Sequence, residues 1–180
     1  MKQILVIFIG HPGVGKTHFT KQLAPKLKAV RLNSDHMRTA MFGDDMDKIR
    51  DHNNNPMVFG AIDYAMYEAL KAGYSVVYDS QHNKKHERQK TAKIAAEFGV
   101  PTILVWVKAP TELALKRGTE REDAPDVRRK SEEQMRASIE KFKAALEEPG
   151  ADEPYITIDG TQSFDVQYYE FISQLYKLLP

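Results

Sequence analysis

Two rhythms of apolar residues alternate along this chain. Residues 4–9, Ile-Leu-Val-Ile-Phe-Ile, form a short continuous apolar run before a glycine-rich stretch. That is the pattern of a strand buried on both faces. Residues 16–28 predict a helix and 29–33 a short second strand. Residues 35–42 and 57–72 predict two further helices, with the polar loop GDDMDKIRDHNNNP between them. Gly73 suits a helix C-terminal cap ahead of the strand YSVVYD, and Gly99 repeats that grammar ahead of PTILVWVK. A helix over about 84–98 lies between these strands, and YITID, residues 155–159, predicts the last strand. Met135, Ile139, Phe142 and Leu146 recur at helical spacing. So do Phe164, Tyr168, Phe171, Ile172, Leu175 and Leu179, and both sets read as core-facing stripes. Strands alternating with helices predict an α/β fold with a parallel sheet covered on both faces.

At 180 residues, 42% of them apolar, the chain fits one domain, 1–180, with enough length to bury a proper core. The formal net charge of +1 gives no global field toward nucleic acid or membrane, so any basic surface is local. The absence of cysteine excludes disulfides and thiolate metal sites. No apolar run approaches the roughly 20 residues of a membrane span, and residues 4–9 are too short for a signal-peptide core. The default location is the cytoplasm.

Chemistry enters with GHPGVGKT, which fits the spacing G-x-x-x-x-G-K-[ST] through Gly10, Gly15, Lys16 and Thr17. Glycines at these positions let backbone N–H groups turn inward around phosphate oxygens. Lys16 supplies a point charge to the β- and γ-phosphates, and the Thr17 hydroxyl faces a magnesium ion. The helix that follows points its positive end at the same anion. Gly10, His11, Pro12, Gly13, Val14, Gly15, Lys16, Thr17 and His18 form the expected ATP-binding stretch. His11 and Pro12 shape the loop rather than react.

The second strand runs into NSDHMR. Ser34 or Asp35 can cap the next helix. Alternatively, Asp35 stands at the carboxyl edge of the sheet, where ligands bind in open α/β folds, and can take a proton from an attacking hydroxyl. Arg38, three residues on, lies on the same helix face and can hold an anionic acceptor or shield the γ-phosphate. The third strand ends in VVYDSQHN, where Asp79 is the expected partner of Thr17 for magnesium or its waters. His82 and His86 read as loop or surface residues. After the fourth strand, LALKRGTEREDAPDVRRKSEEQMR has the composition of a lid over about 117–130. Arg117 and Arg121 are its candidates to reach phosphate, an action worth about 10³–10⁵ in rate. Arg128 and Arg129 read as a solvated face. A lid and an acceptor base argue for phosphate transfer rather than a nucleotide switch.

Together GHPGVGKT, NSDHMR, VFGAIDYAMYEALKAGYSVVYDSQHNKKHER and the arginine lid resemble the P-loop kinases that include the bacteriophage polynucleotide 5′-hydroxyl kinase. Zeta-type toxins are more distant relatives. The resemblance implies a five-stranded sheet in the order 2-3-1-4-5, ATP as donor and magnesium as cofactor. It implies Asp35 as base, Arg38 near the scissile phosphate, and Arg121 or Arg117 on the donor phosphates. TIDGTQSFD resembles the adenine-side loop, so Gly160 and Thr161 border the base. The family's D-x-T-N after the third strand is one residue longer here, Asp79 to Asn83.

For the acceptor, NKKHERQKTAK sets Lys84, Lys85, Arg88, Lys90 and Lys93 against one Glu87 near the rim. Phosphates flanking a 5′-hydroxyl would find that surface attractive. Asn83, Lys84 and Arg88, with Asp35 and Arg38, are the candidate acceptor contacts. The sequence thus favours a polynucleotide 5′-hydroxyl. The alternatives are a small metabolite, nucleoside or sugar nucleotide, and a non-transferring ATPase or nucleotide-gated module.

Overall fold

The computed structural model describes residues 2–124 and 129–179. Five strands form one parallel sheet: β1 (Leu5–Ile9), β2 (Val30–Asn33), β3 (Val76–Gln81), β4 (Thr102–Lys108) and β5 (Tyr155–Asp159). Their spatial order is β2-β3-β1-β4-β5, the order implied by the resemblance. β1 is central and wholly buried, which is why its sequence has no polar alternation. Ile4, Val6 and Phe8 pack on one face with Val77, Val105, Ile156 and Phe171. Leu5, Ile7 and Ile9 pack on the other with Val76, Tyr78, Leu104 and Phe142.

The helices are α1 (Lys16–Lys26), α2 (Ser34–Phe42), α3 (Met46–Arg50), α4 (Asn55–Lys71), α5 (Lys85–Ala96), α6 (Thr111–Glu120), α7 (Glu132–Ala145) and α8 (Phe164–Leu178). α1 and α8 carry residues of the first core, and α4, α5 and α7 carry residues of the second. Gly73 and Gly99 follow α4 and α5 at φ 87° and 66°, where a side chain would be strained. The segment expected as a polar loop after Phe42 is instead helical over α3, with a 3₁₀ turn at His52–Asn54. Only Ile49 of α3 is buried, so no apolar period marks it. β3 also runs on past Asp79. Ile7 pairs with Tyr78 but Phe8 with Gln81, so two residues step out of the ladder with β1. On its other side Asp79 stays in register with Asn33. Among the described residues no helix is long and apolar enough to cross a membrane.

Candidate active site

The chain switches direction across the sheet at β1, between β3 and β4, and the glycine loop leaves β1 at that point. Gly10, Gly13 and Gly15 all take positive φ, 149°, 85° and 104°. At Gly13 a Cβ would also lie 2.3 Å from the Ala114 carbonyl oxygen, so the loop is wedged against α6. His11 packs its ring edge-on to Phe142 of α7 at 5.8 Å and pairs its Nδ1 with the Pro12 carbonyl at 2.9 Å. Val14 is fully buried beneath the loop. His18 lies outside, exposed and engaged with Gln22 one turn on. The Lys16 ammonium is buried, donating to the Gly10 and His11 carbonyls at 2.5 and 3.1 Å. Burial lowers its pKa to about 8, although Asp79 and Asp35 act to raise it.

Asn33, rather than Ser34 or Asp35, caps α2, accepting from the His36 N–H at 2.7 Å. Asp35 is therefore released into the cleft. It is open to solvent yet recessed among Arg38, Lys130, Arg121 and Asp79. Burial, then Asp79, lifts its carboxyl above the ordinary range, against the pull of the three cations. Arg38 is buried. Its Nη2 donates to the Asn55 side chain, its plane lies 6.0 Å from the Phe59 ring, and its Nη1 is buried with no partner. A buried guanidinium N–H without an acceptor suits an anion brought in by a ligand.

Asp79 is 3% exposed, and Arg31 and Asn33 donate to its Oδ2. Arg31 also donates to the Thr20 hydroxyl of α1 at 3.2 Å. Thr17, on the first turn of α1, is half-buried. No cluster of three or more ligating side chains exists among the described residues. That donor set fits an ion held mainly by phosphate oxygens and water, as magnesium is in nucleotide sites, and does not fit a protein-caged metal.

The two arginines expected to reach phosphate part company. Arg121 ends α6 facing Asp35 and Lys16. Arg117 donates to the Gly160 carbonyl at 2.8 Å and passes near Gly15, so it joins α6 to the loop after β5. That loop is tight. A Cβ at Gly160 would lie 2.1 Å from the Val14 oxygen, and the Thr161 N–H bonds the Asp159 carboxylate at 2.8 Å. Arg129 is exposed and its N–H bonds Asp123 at 2.5 Å, whereas Arg128 lies outside the described residues.

The rim differs from the expectation. Arg88 is 2% exposed and forms a two-point pair with Glu153, at 2.9 and 2.7 Å. It is a buried structural cation and is not available to an acceptor at the surface. Lys85 pairs with Asp152 and Lys90 with Asp63. Asn83 is half-buried, its carbonyl taken by Arg88 and the Glu147 N–H. Lys84 alone of the expected acceptor contacts there is exposed. His82 is not a surface residue. It is 5% exposed, edge-on to Tyr78 and paired with Thr91, and burial lowers its pKa to about 4.

Three site residues were not anticipated. Arg31 and Asn33 hold Asp79, and Lys130, half-buried beside Asp35, bonds Ser138 at 2.8 Å. The signal for Lys130 was its place in the lid stretch beside the serine that caps α7.

The family described as an AAA domain matches residues 5–149. The L-seryl-tRNA(Sec) kinase of Methanococcus maripaludis is 27% identical over 184 residues, covering 97% of this chain. This chain spans 66% of that relative's length. A gluconokinase from Sinorhizobium meliloti 1021 superposes with a TM-score of 0.66 at 17% identity, over 98% of this chain and 93% of its own. The Mycobacterium tuberculosis APS kinase, solved with AMPPNP and APS, gives 0.65 at 17% identity, over 97% and 98%. These two superpositions bear on the fold alone.

Proposed function

Because the chain belongs to the AAA-domain family that its residues 5–149 match, we propose that it is an ATP- and magnesium-dependent kinase acting on an alcohol. The observation that carries this reading is Asp35, a recessed carboxylate open to solvent and ringed by Arg38, Arg121 and Lys130. A switch or motor orients a water there, whereas a carboxylate in an open cleft beside the phosphates suits deprotonation of an incoming alcohol. The relative named above, an L-seryl-tRNA(Sec) kinase, supports the same reaction class.

The glycine loop and the N-terminus of α1 hold the ATP phosphates through backbone N–H groups. The buried Lys16 ammonium turns from the loop carbonyls toward the β- and γ-phosphates. Thr17, and Asp79 through water, would hold a magnesium ion beside the nucleotide, where it would offset phosphate charge. Asp35 accepts the proton of the acceptor hydroxyl as its oxygen bonds the γ-phosphorus and the bond to the β-γ bridging oxygen breaks. Arg38 and Arg121 offset the charge on the transferring group, and Lys130 steadies the Asp35 carboxylate. Arg117 fixes α6 to the adenine-side loop at Gly160 and Thr161.

For the acceptor, the pairing of Lys85, Arg88 and Lys90 with carboxylates weighs against a polynucleotide 5′-end and favours a small hydroxyl-bearing molecule. Incubation with γ-labelled ATP tests this. One arm carries 5′-hydroxyl oligonucleotides and the other a pool of sugars, nucleosides and hydroxy acids. Label in the small-molecule arm, lost with Asp35→Asn, is the expected result. Label in oligonucleotide alone restores the polynucleotide reading. Phosphate release with no labelled acceptor, unchanged by Asp35→Asn, overturns transfer altogether.

A further inference from the structure

Acids neutralise the rim cations unevenly, and what they leave is informative. Lys85, Arg88 and Lys90 of α5 each face a carboxylate, and on α7 Lys143 pairs with Glu140 at 2.9 Å. Lys84 and Lys141 form no ion pair among the described residues. These two line the same groove, of about 410 Å³, with Ala144, Ala145, Leu146 and Glu147. Glu147 is the one acid there, and its Oε2 already accepts the Lys85 N–H at 2.6 Å.

α7 carries both Ser138, which Lys130 bonds, and the groove residues Lys141, Ala144 and Ala145. Lys130 faces Asp35 and bonds Ser138, and Lys141, one turn further on, lies close enough to oppose protonation of Lys130. From Ser138 to Ala145 is seven residues of helix, about 10 Å. The groove's walls are firm. Phe142 packs α7 against His11 of the phosphate loop, and the Glu147 N–H bonds the Asn83 carbonyl at 2.9 Å. The Arg88–Glu153 pair ties α5 to the segment ahead of β5.

We infer that the groove between Lys84 and Lys141 is an anion subsite for the acceptor. The acceptor is then a small molecule carrying a phosphate or similar oxyanion set apart from the hydroxyl that Asp35 deprotonates. The inference rests on the kinase reading for the meaning of the subsite, although anion binding itself does not. Two unpaired ammonium groups across a short groove match one compact oxyanion. A nucleic-acid backbone would need the neighbouring cations that Asp152, Glu153, Asp63 and Glu140 neutralise.

The test uses the full chain, isotope-labelled and saturated with magnesium and a non-hydrolysable ATP analogue so that the glycine loop is filled. Inorganic phosphate is titrated at constant ionic strength while amide resonances are followed. Signals of Lys84, Lys141 and Glu147 are expected to shift and saturate. Lys84→Ala and Lys141→Ala each weaken that binding about tenfold, a loss typical of a charge-assisted hydrogen bond, while Lys177→Ala on α8 leaves it unchanged. Affinity falls as added salt screens the two lysines. Absence of saturable shifts, or shifts indifferent to both lysine variants, overturns the subsite. Tighter binding of a 5′-hydroxyl oligonucleotide, steeply salt-dependent and weakened by both lysine variants, overturns the small acceptor. A chain that transfers label to nothing yet binds phosphate in the groove sinks the kinase reading and leaves the anion site standing.

Discussion

Arg31 donates through both Nε and Nη2 to a single oxygen of Asp79, at 3.1 and 2.5 Å, and the carboxylate is almost wholly buried. This pair couples an outer strand of the sheet to the carboxylate beneath the phosphate loop. Arg31→Met strands a buried charge and is expected to cost about 3 kcal/mol of folding stability. The double variant Arg31→Met/Asp79→Asn should recover most of it. Urea unfolding at pH 7 measures both, and a single variant within about 0.5 kcal/mol of the native chain would remove this role for the pair.

Asp35→Asn keeps the shape of the cleft and removes the carboxylate proposed to take the acceptor's proton. Turnover should fall about 10²-fold or more with nucleotide affinity nearly unchanged. Arg38→Ala should also lower turnover, and Asn55→Ala should follow it in weaker form, because Asn55 holds the guanidinium. Steady-state kinetics on the labelled acceptor, beside nucleotide titration, separate these effects. Equal losses in nucleotide binding would reassign Asp35 to the donor side.

Lys16 predicts a proton linkage. Its pKa of about 8 in the folded chain reflects burial, and bound phosphates favour the charged form. Nucleotide binding at pH 8.5 should therefore take up a fraction of a proton, and affinity should fall as pH rises above about 8. For folding the sign is opposite. The unfolded chain keeps this proton up to the ordinary lysine range, so stability gains from this group as pH rises beyond 8. Calorimetry in buffers of different ionisation enthalpy reads the uptake. The prediction fails if no proton moves or if Lys16→Met takes up as many.

His82 is held neutral by burial down to about pH 4. The unfolded chain protonates it near 6.5, so the unfolded state binds more protons between those values and stability falls as pH drops through them. The loss reaches about 3 kcal/mol by pH 4. Denaturation curves of the native chain and His82→Gln, taken from pH 7 to 4, should diverge in that window. Parallel pH profiles would show that the imidazole is not desolvated.

The phosphate loop was legible because its chemistry is written in consecutive residues, and the strands because burial on both faces leaves unbroken apolar runs. Asp35 and Arg38 could be singled out because a strand ends just before them. Arg31 could not, since a cation in a strand reads as an edge residue until its counter-ion, 48 positions later, is brought beside it. The same blindness made α5 look like a basic surface. Its acids come from α4 and from the segment before β5, far along the chain. His82 looked like a loop residue because the strand was expected to end at Asp79, whereas it continues to Gln81.

That continuation limits how this region can vary in length. With Ile7 opposite Tyr78 and Phe8 opposite Gln81, the strand absorbs a surplus of two residues, and parity survives. Losing both would leave His82 on its present side. Losing one would exchange the sides, sending the imidazole outward and bringing Asn83 inward. Only paired insertions or deletions at this point therefore keep His82 where it is, and a single one asks the corner to be rebuilt from other parts.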